Sequence, residues 1–194
     1  QITRNIIDFY SDDYKQKPNM TNTIKIGFSP SYQRKRVFKT IARKLLGILS
    51  LELFLWQTKG YYKTIKILNK IKKKYPNVEI DIIRDVPLKE CLNRKSNCDI
   101  IIDECVTSSF HRSGLEGLAL GKLTICSLDS KVINILKKVS KSEIVPFENI
   151  WIDSLEEKLT KITKRGKEYI NKIGLENRQW MEKYWNPKDI VVEY

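Results

Sequence analysis

Histidine is nearly absent from this 194-residue chain: His111 stands alone, beside only four cysteines, Cys91, Cys98, Cys105 and Cys126. Those cysteines are too far apart for C-x-x-C pairs, so a zinc site lacks ligands at workable spacing, and no metal is expected. Three of them fall in or beside apolar strand-like runs, where reduced cysteine behaves as a small core hydrophobe. The chain also lacks a Ser-His-Asp set, a P-loop and a G-x-G-x-x-G stretch, which leaves hydrolase, NTPase and dinucleotide readings without their residues. No apolar run approaches the ~20 residues that span a bilayer. The chain opens on Gln1 with no basic-then-apolar leader, as expected of a fragment of an unsecreted, cytoplasmic protein. Acidic residues are in deficit as well. Against 36 Lys and Arg stand 23 Asp and Glu, a formal charge of +13. Such an excess favours anionic partners: nucleic acid, acidic lipid head groups or phosphorylated small molecules.

A hydrophobic content of 41% suits a single sizeable core. Residues 1–22 carry acidic, Pro and Asn punctuation without periodicity and read as a linker entering the domain. Strands are predicted at Thr23 to Phe28, Val78 to Ile83, Asp99 to Asp103, Leu123 to Cys126 and Glu143 to Phe147. Helices are predicted at Tyr61 to Tyr75 (apolar face Ile65, Leu68, Ile71 and the Lys72 stem), Leu88 to Arg94, Gly114 to Leu120 and Asp129 to Val139. Lys66, Lys70, Lys73 and Lys74 belong to a solvated helix face. Ser154 to Trp185 carries long helical patterning. Alternating strands and helices imply an α/β fold: a Rossmann-like parallel sheet over 23–150 with helices on both faces, ligands at the carboxyl ends of its strands, and 151–194 packing back on it.

The stretch 33–58 breaks this rhythm and reads as an insertion. It opens with Arg34, Lys35, Arg36, Lys39, Arg43 and Lys44 and then turns apolar (LLGILSLELFLW). An ordinary core helix or helical hairpin with a solvated basic end accounts for it. A basic helix with Leu, Phe and Trp also suits an anionic membrane surface, which would make the protein peripheral on the inner face.

Chemistry concentrates in Ser108 to Cys126 (SSFHRSGLEGLALGKLTIC), a polar loop, a small-residue helix and a strand. Gly114 would open the helix, where unpaired backbone N–H groups and the positive dipole end favour a phosphate. Glu116 in the first turn is placed to accept from ribose hydroxyls, or simply to oppose the dipole. Gly117, Ala119 and Gly121 keep the helix slim enough to approach the sheet.

This stretch resembles the donor-site signature of GT-B glycosyltransferases related to family 4, a Gly followed by a Leu-Glu-Ala-Met-Ala core and Gly-Lys-Pro-Val-Ile. Leu115 to Ile125 occupies that pattern here, with Gly117-Leu118 replacing Ala-Met. Ser29-Pro30-Ser31 resembles the family's Ser-Pro-Ser turn, Lys59-Gly60 its Lys-Gly pair, Val86 to Leu92 the loop and helix bordering the base, and Glu182 to Pro187 its closing helix region. The resemblance implies the C-terminal, donor-binding half of a GT-B architecture that binds a UDP-, GDP- or ADP-sugar. Lys59, Gly114, His111 and Arg112 would then lie by the diphosphate, Glu116 by the ribose, Ser29 and Ser31 on the turn, and Val86 by the base. An N-terminal domain would hold a glycan or lipid-linked acceptor and any catalytic base, so the isolated chain would turn over poorly. It also implies no cofactor beyond the donor.

Two departures matter. Many retaining members carry Glu where Ser108 stands, eight positions before Glu116, which leaves the stereochemical course open. The insertion displaces the basic residues usual near the phosphates, so Arg34 and Arg36 are candidates for phosphate ligands or part of the insert. A surface role for Lys59 and His111, a non-catalytic nucleotide-binding module, and a basic nucleic-acid-binding protein are the alternatives.

Overall fold

The computed structural model of the protein describes residues 6–16, 21–30, 41–47 and 50–192. Five short runs pair side by side: β1 (Ile24–Phe28), β2 (Val78–Ile82), β3 (Ile100–Ile102), β4 (Leu123–Cys126) and β5 (Glu148–Asn149). All pairings are parallel, in the order β2-β1-β3-β4-β5. Register places Ile26 between Ile80 and Ile100, and Ile102 beside Ile125. The all-apolar Ile100-Ile101-Ile102 is the pattern of a strand covered on both faces, and all three residues are fully buried.

Helices supply the cover: α1 (Leu51–Gln57), α2 (Tyr61–Lys74), α3 (Leu88–Ser96), α4 (Arg112–Ala119), α5 (Ser130–Ser140), α6 (Leu155–Tyr184) and α7 (Pro187–Val192). One core joins Ile67, Leu68 and Ile71 of α2 to Leu155, Leu159 and Ile162 of α6 over the strands. A second gathers Leu92 of α3, Leu115 and Leu118 of α4, Leu136 of α5 and Trp180 of α6. The architecture is α/β and Rossmann-like. Among the described residues, no helix is long and apolar enough to cross a membrane.

The α6 run serves both cores because it is two helical segments joined by a kink at non-helical Gly166, whose φ of 79° lies outside the range of ordinary side-chain-bearing residues. Beyond the bend it runs beneath the amino ends of the strands. Lys167 donates to Thr23 O (2.9 Å), Asn177 to Lys122 O (2.8 Å), and Gly174 packs directly against the Gly121 carbonyl. Arg178 then reaches Phe9 O at 3.1 Å and also Ala119 O, pinning the chain's opening segment. That segment is more than a linker, since Ile7, Phe9 and Tyr14 are buried in the second core.

Two other expectations change. Residues 143–147 form no strand; the edge strand is Glu148–Asn149. Pro146 has no N–H to give to a ladder, and the Ile144 carbonyl instead accepts from Trp180 Nε1 at 3.1 Å. On α2 the buried face is Thr64, Ile67, Leu68 and Ile71, with Lys72 exposed and Ile65 only partly buried. Lys66, Lys70, Lys73 and Lys74 are exposed, and Cys98, Cys105 and Cys126 are buried.

Candidate functional site

The chain leaves β1 toward β2 and returns across β1 to β3, so the loops at the carboxyl ends of β1 and β3 part company. Such a switch point opens a crevice at that edge of the sheet. Backbone strain collects there. Of the four non-glycine residues with positive φ among those described, Lys59 (49°), Asp85 (56°) and Ser108 (55°) lie in the loops before α2, after β2 and after β3, while Lys141 merely closes α5. A left-handed conformation costs a side-chain-bearing residue of order 1–3 kcal/mol, and it clusters where geometry is imposed for function.

His111 is the hub. Its backbone N–H donates to Asp103 Oδ2 at 2.6 Å, fixing the residue that caps α4 to the end of β3. Its Nε2 lies 3.1 Å from Lys59 Nζ. An ammonium has only protons to give, so this Nε2 accepts and the ring proton belongs on Nδ1. Nδ1 is 3.3 Å from Asp103 Oδ2 but poorly aligned with it, and remains a buried nitrogen without a hydrogen-bond partner. Gly114 makes the arrangement possible, since a Cβ there would come within 3.0 Å of Asp103 Oδ2. Contrary to expectation α4 opens at Arg112 rather than Gly114, whose N–H is already bonded to His111 O at 3.0 Å, and the His111 side chain itself makes no capping bond. The ammonium of Lys59 and the positive end of a helix therefore converge on one side of the crevice.

The loop from Glu104 to His111 is held rigidly. Glu104, 2% exposed, accepts from the backbone of Val106 (3.0 Å) and Thr107 (2.7 Å), while Ser108 Oγ accepts from Asp129 N (2.7 Å). Sequence reasoning assigned no role to Asp103 and Glu104. A pair of carboxylates directly behind Ile100-Ile101-Ile102 was the available signal, because acids at a strand's end are buried with it.

The remaining expected residues distribute unevenly. Ser29 is half-buried, its Oγ 3.7 Å from Cys91 Sγ at α3. Half-buried Val86 follows the strained Asp85. Nearby, Arg84 covers the Tyr61 ring and donates to its hydroxyl at 3.0 Å. Ser29 directly follows β1 and Arg84 to Val86 follow β2, so these groups belong to the carboxyl ends of those two strands. Ser31, Arg34 and Arg36 lie outside the described residues.

Glu116 is 4% exposed and points into the fold. Lys95, itself 1% exposed, donates to its Oε2 at 2.7 Å and to Ser113 Oγ at 2.9 Å. Arg112 donates to Oε1 at 3.1 Å from a largely exposed side chain. Beside this group burial pushes the Tyr14 phenol up to about 12, with the Glu116 charge adding to the effect. Contact with a ribose would require Glu116 to release one of its two cations.

Neither a scan against protein-family models nor a search of curated proteins finds a match to this chain.

Proposed function

We propose that the carboxyl edge of the sheet binds the diphosphate of a nucleotide sugar, the chain being the donor-binding half of a GT-B-type glycosyltransferase. One observation carries this reading: Lys59 Nζ, 3.1 Å from His111 Nε2, stands at the start of α4 beside the β1/β3 switch point. Cation and helix end together suit a ligand with two adjacent negative groups. The resemblance of Gly114 to Ile125 to a donor-site signature adds the sugar and the nucleoside.

In glycosyl transfer negative charge builds on the leaving diphosphate, and preorganised donors stabilise it without reorganising as the bond breaks. Lys59 and the Arg112 end of α4 take that part. Arg112 is the mobile element. On swinging from Glu116 to a phosphate it would free Oε1 for the ribose hydroxyls while Lys95 keeps Oε2 neutralised. Ser29 and Val86 flank the nucleoside side. Acceptor, glycan or lipid-linked, and catalytic base belong to an N-terminal domain joined to this one, on the cytoplasmic side of a membrane.

Calorimetry of the chain against UDP, GDP, ADP and their sugars tests the reading. One base is expected to bind, with Lys59→Ala weakening it by about 1.5–3 kcal/mol, the range for hydrogen bonds to charged groups. Lys59→Gly should weaken binding equally while relieving the strain at φ 49°. Unchanged affinity in both variants would remove Lys59 from the site.

A non-catalytic nucleotide-binding module is the second reading, favoured by Lys95 holding Glu116 Oε2 at 2.7 Å. A nucleotide that binds, with no glycosyl transfer after the N-terminal domain is joined, would select it.

A further inference from the structure

α1 is largely apolar, and although Phe54 and Leu55 are half-buried, with Phe54 stacked on Tyr62, three of its large side chains are uncovered. Leu51, Leu53 and Trp56 are 60%, 45% and 59% exposed. A short distance upstream, Leu45 and Leu46 are 83% and 72% exposed. Isolated exposed hydrophobics are ordinary, but a patch of them marks a site of protein or membrane contact. Trp151, 42% exposed, faces Leu53 and Trp56 across a groove floored by Val106 and Ile152.

We propose that this surface docks on an anionic lipid bilayer. Charge selects the partner. Among the described residues Arg43 and Lys44 directly precede Leu45 and Leu46, and the whole sequence carries a formal charge of +13. Interfaces between proteins deplete lysine from their cores, whereas a bilayer with acidic head groups attracts each Lys or Arg near its surface. Leucine and tryptophan are also the side chains that settle at the boundary of head groups and acyl chains. The helix is coupled to the crevice, because Lys59 N–H donates to Trp56 O (3.1 Å) and Gly60 N–H to Leu55 O (2.8 Å). Docking through α1 would therefore hold the carboxyl edge of the sheet beside the membrane surface, within reach of a substrate that resides there.

The test is flotation of the whole chain with phosphatidylcholine vesicles prepared with and without phosphatidylglycerol, read together with quenching of tryptophan fluorescence by brominated lipid. Binding to the anionic vesicles alone is expected. Arg43→Glu with Lys44→Glu should reduce it by about tenfold or more, and Leu46→Ser with Trp56→Ser should abolish it. Arg43, Leu46 and Trp56 are exposed and Lys44 is half-buried, so an unchanged far-UV circular dichroism spectrum and thermal midpoint are required of each variant to separate loss of docking from loss of fold. Quenching should fall on Trp56 and Trp151 and spare the buried Trp180 and Trp185. Absence of flotation, equal binding to neutral vesicles, or undiminished binding by Leu46→Ser with Trp56→Ser would overturn the proposal. A concentration-dependent dimer that Trp56→Ser dissolves would assign the face to a second copy instead.

Discussion

Lys95 donates to Glu116 across 2.7 Å, and the two side chains keep only 1% and 5% of their surface in contact with solvent. A pair buried this completely is valuable chiefly because either partner alone would be an uncompensated charge. Glu116→Ala should therefore lower unfolding free energy by about 3–5 kcal/mol, whereas joint replacement by Lys95→Met and Glu116→Leu should recover most of the loss. Arg112→Ala removes a 58%-exposed partner and should cost less than about 1 kcal/mol. Urea titrations of the four proteins provide the comparison. Equal losses for Arg112→Ala and Glu116→Ala would contradict the buried-pair account.

Gly174 is fixed by contact. A Cβ on it would approach the Gly121 carbonyl oxygen to 2.3 Å, and backbone rather than a flexible side chain blocks the way. Gly174→Ala should force α6 away from the amino ends of β1 and β4 and destabilise the chain by about 1–3 kcal/mol, despite the better helix propensity of alanine. An unchanged urea midpoint would show that α6 does not bear on this edge.

Tyr14 gives an alkaline limit to stability. Its phenol is raised from 10.0 to about 12, first by burial and then by the Glu116 charge. The folded state thus holds this proton more tightly than the unfolded state. Its contribution is complete below pH 10 and disappears as pH rises through about 12. Across that window the wild-type chain should lose more stability than Tyr14→Phe, measured by denaturant midpoints at matched pH. Parallel losses in the two proteins would place the alkaline transition elsewhere.

Much of the fold was legible because its central strands β3 and β4 are buried on both faces. DIIID and LTIC have no competing amphipathic reading, and the Pro76-Asn77 stop after α2 is chemically unambiguous. The edge strand was misplaced because β-rich composition at 143–147 outweighed the missing N–H of Pro146, and the Ile144 carbonyl is taken by Trp180 from a helix far along the chain. Likewise, nothing local to Ile7, Phe9 or Tyr14 announces that Arg178 will hold their segment on the second core.

At the candidate site, residue types were readable and their partners were not. Lys59 and His111 could be singled out separately, but their 3.1 Å approach depends on how two loops meet at one edge of the sheet. Glu116 shows the reverse case: taking Gly114 as the helix start put it in the first turn, facing a ligand, whereas α4 begins at Arg112 and the Glu116 charge is neutralised internally by Lys95, one helix earlier.

The most direct measurement follows the single imidazole of the chain, His111, by two-dimensional nitrogen–proton correlation during titration with the nucleoside diphosphate that binds in calorimetry. In the unliganded protein the ring proton should sit on Nδ1, with Nε2 accepting from Lys59, and the Nε2 signal should move in step with saturation as Lys59 turns to the diphosphate. Binding that leaves both ring nitrogens unmoved, or an unliganded ring protonated on Nε2, would contradict the assignment of this edge as the diphosphate site.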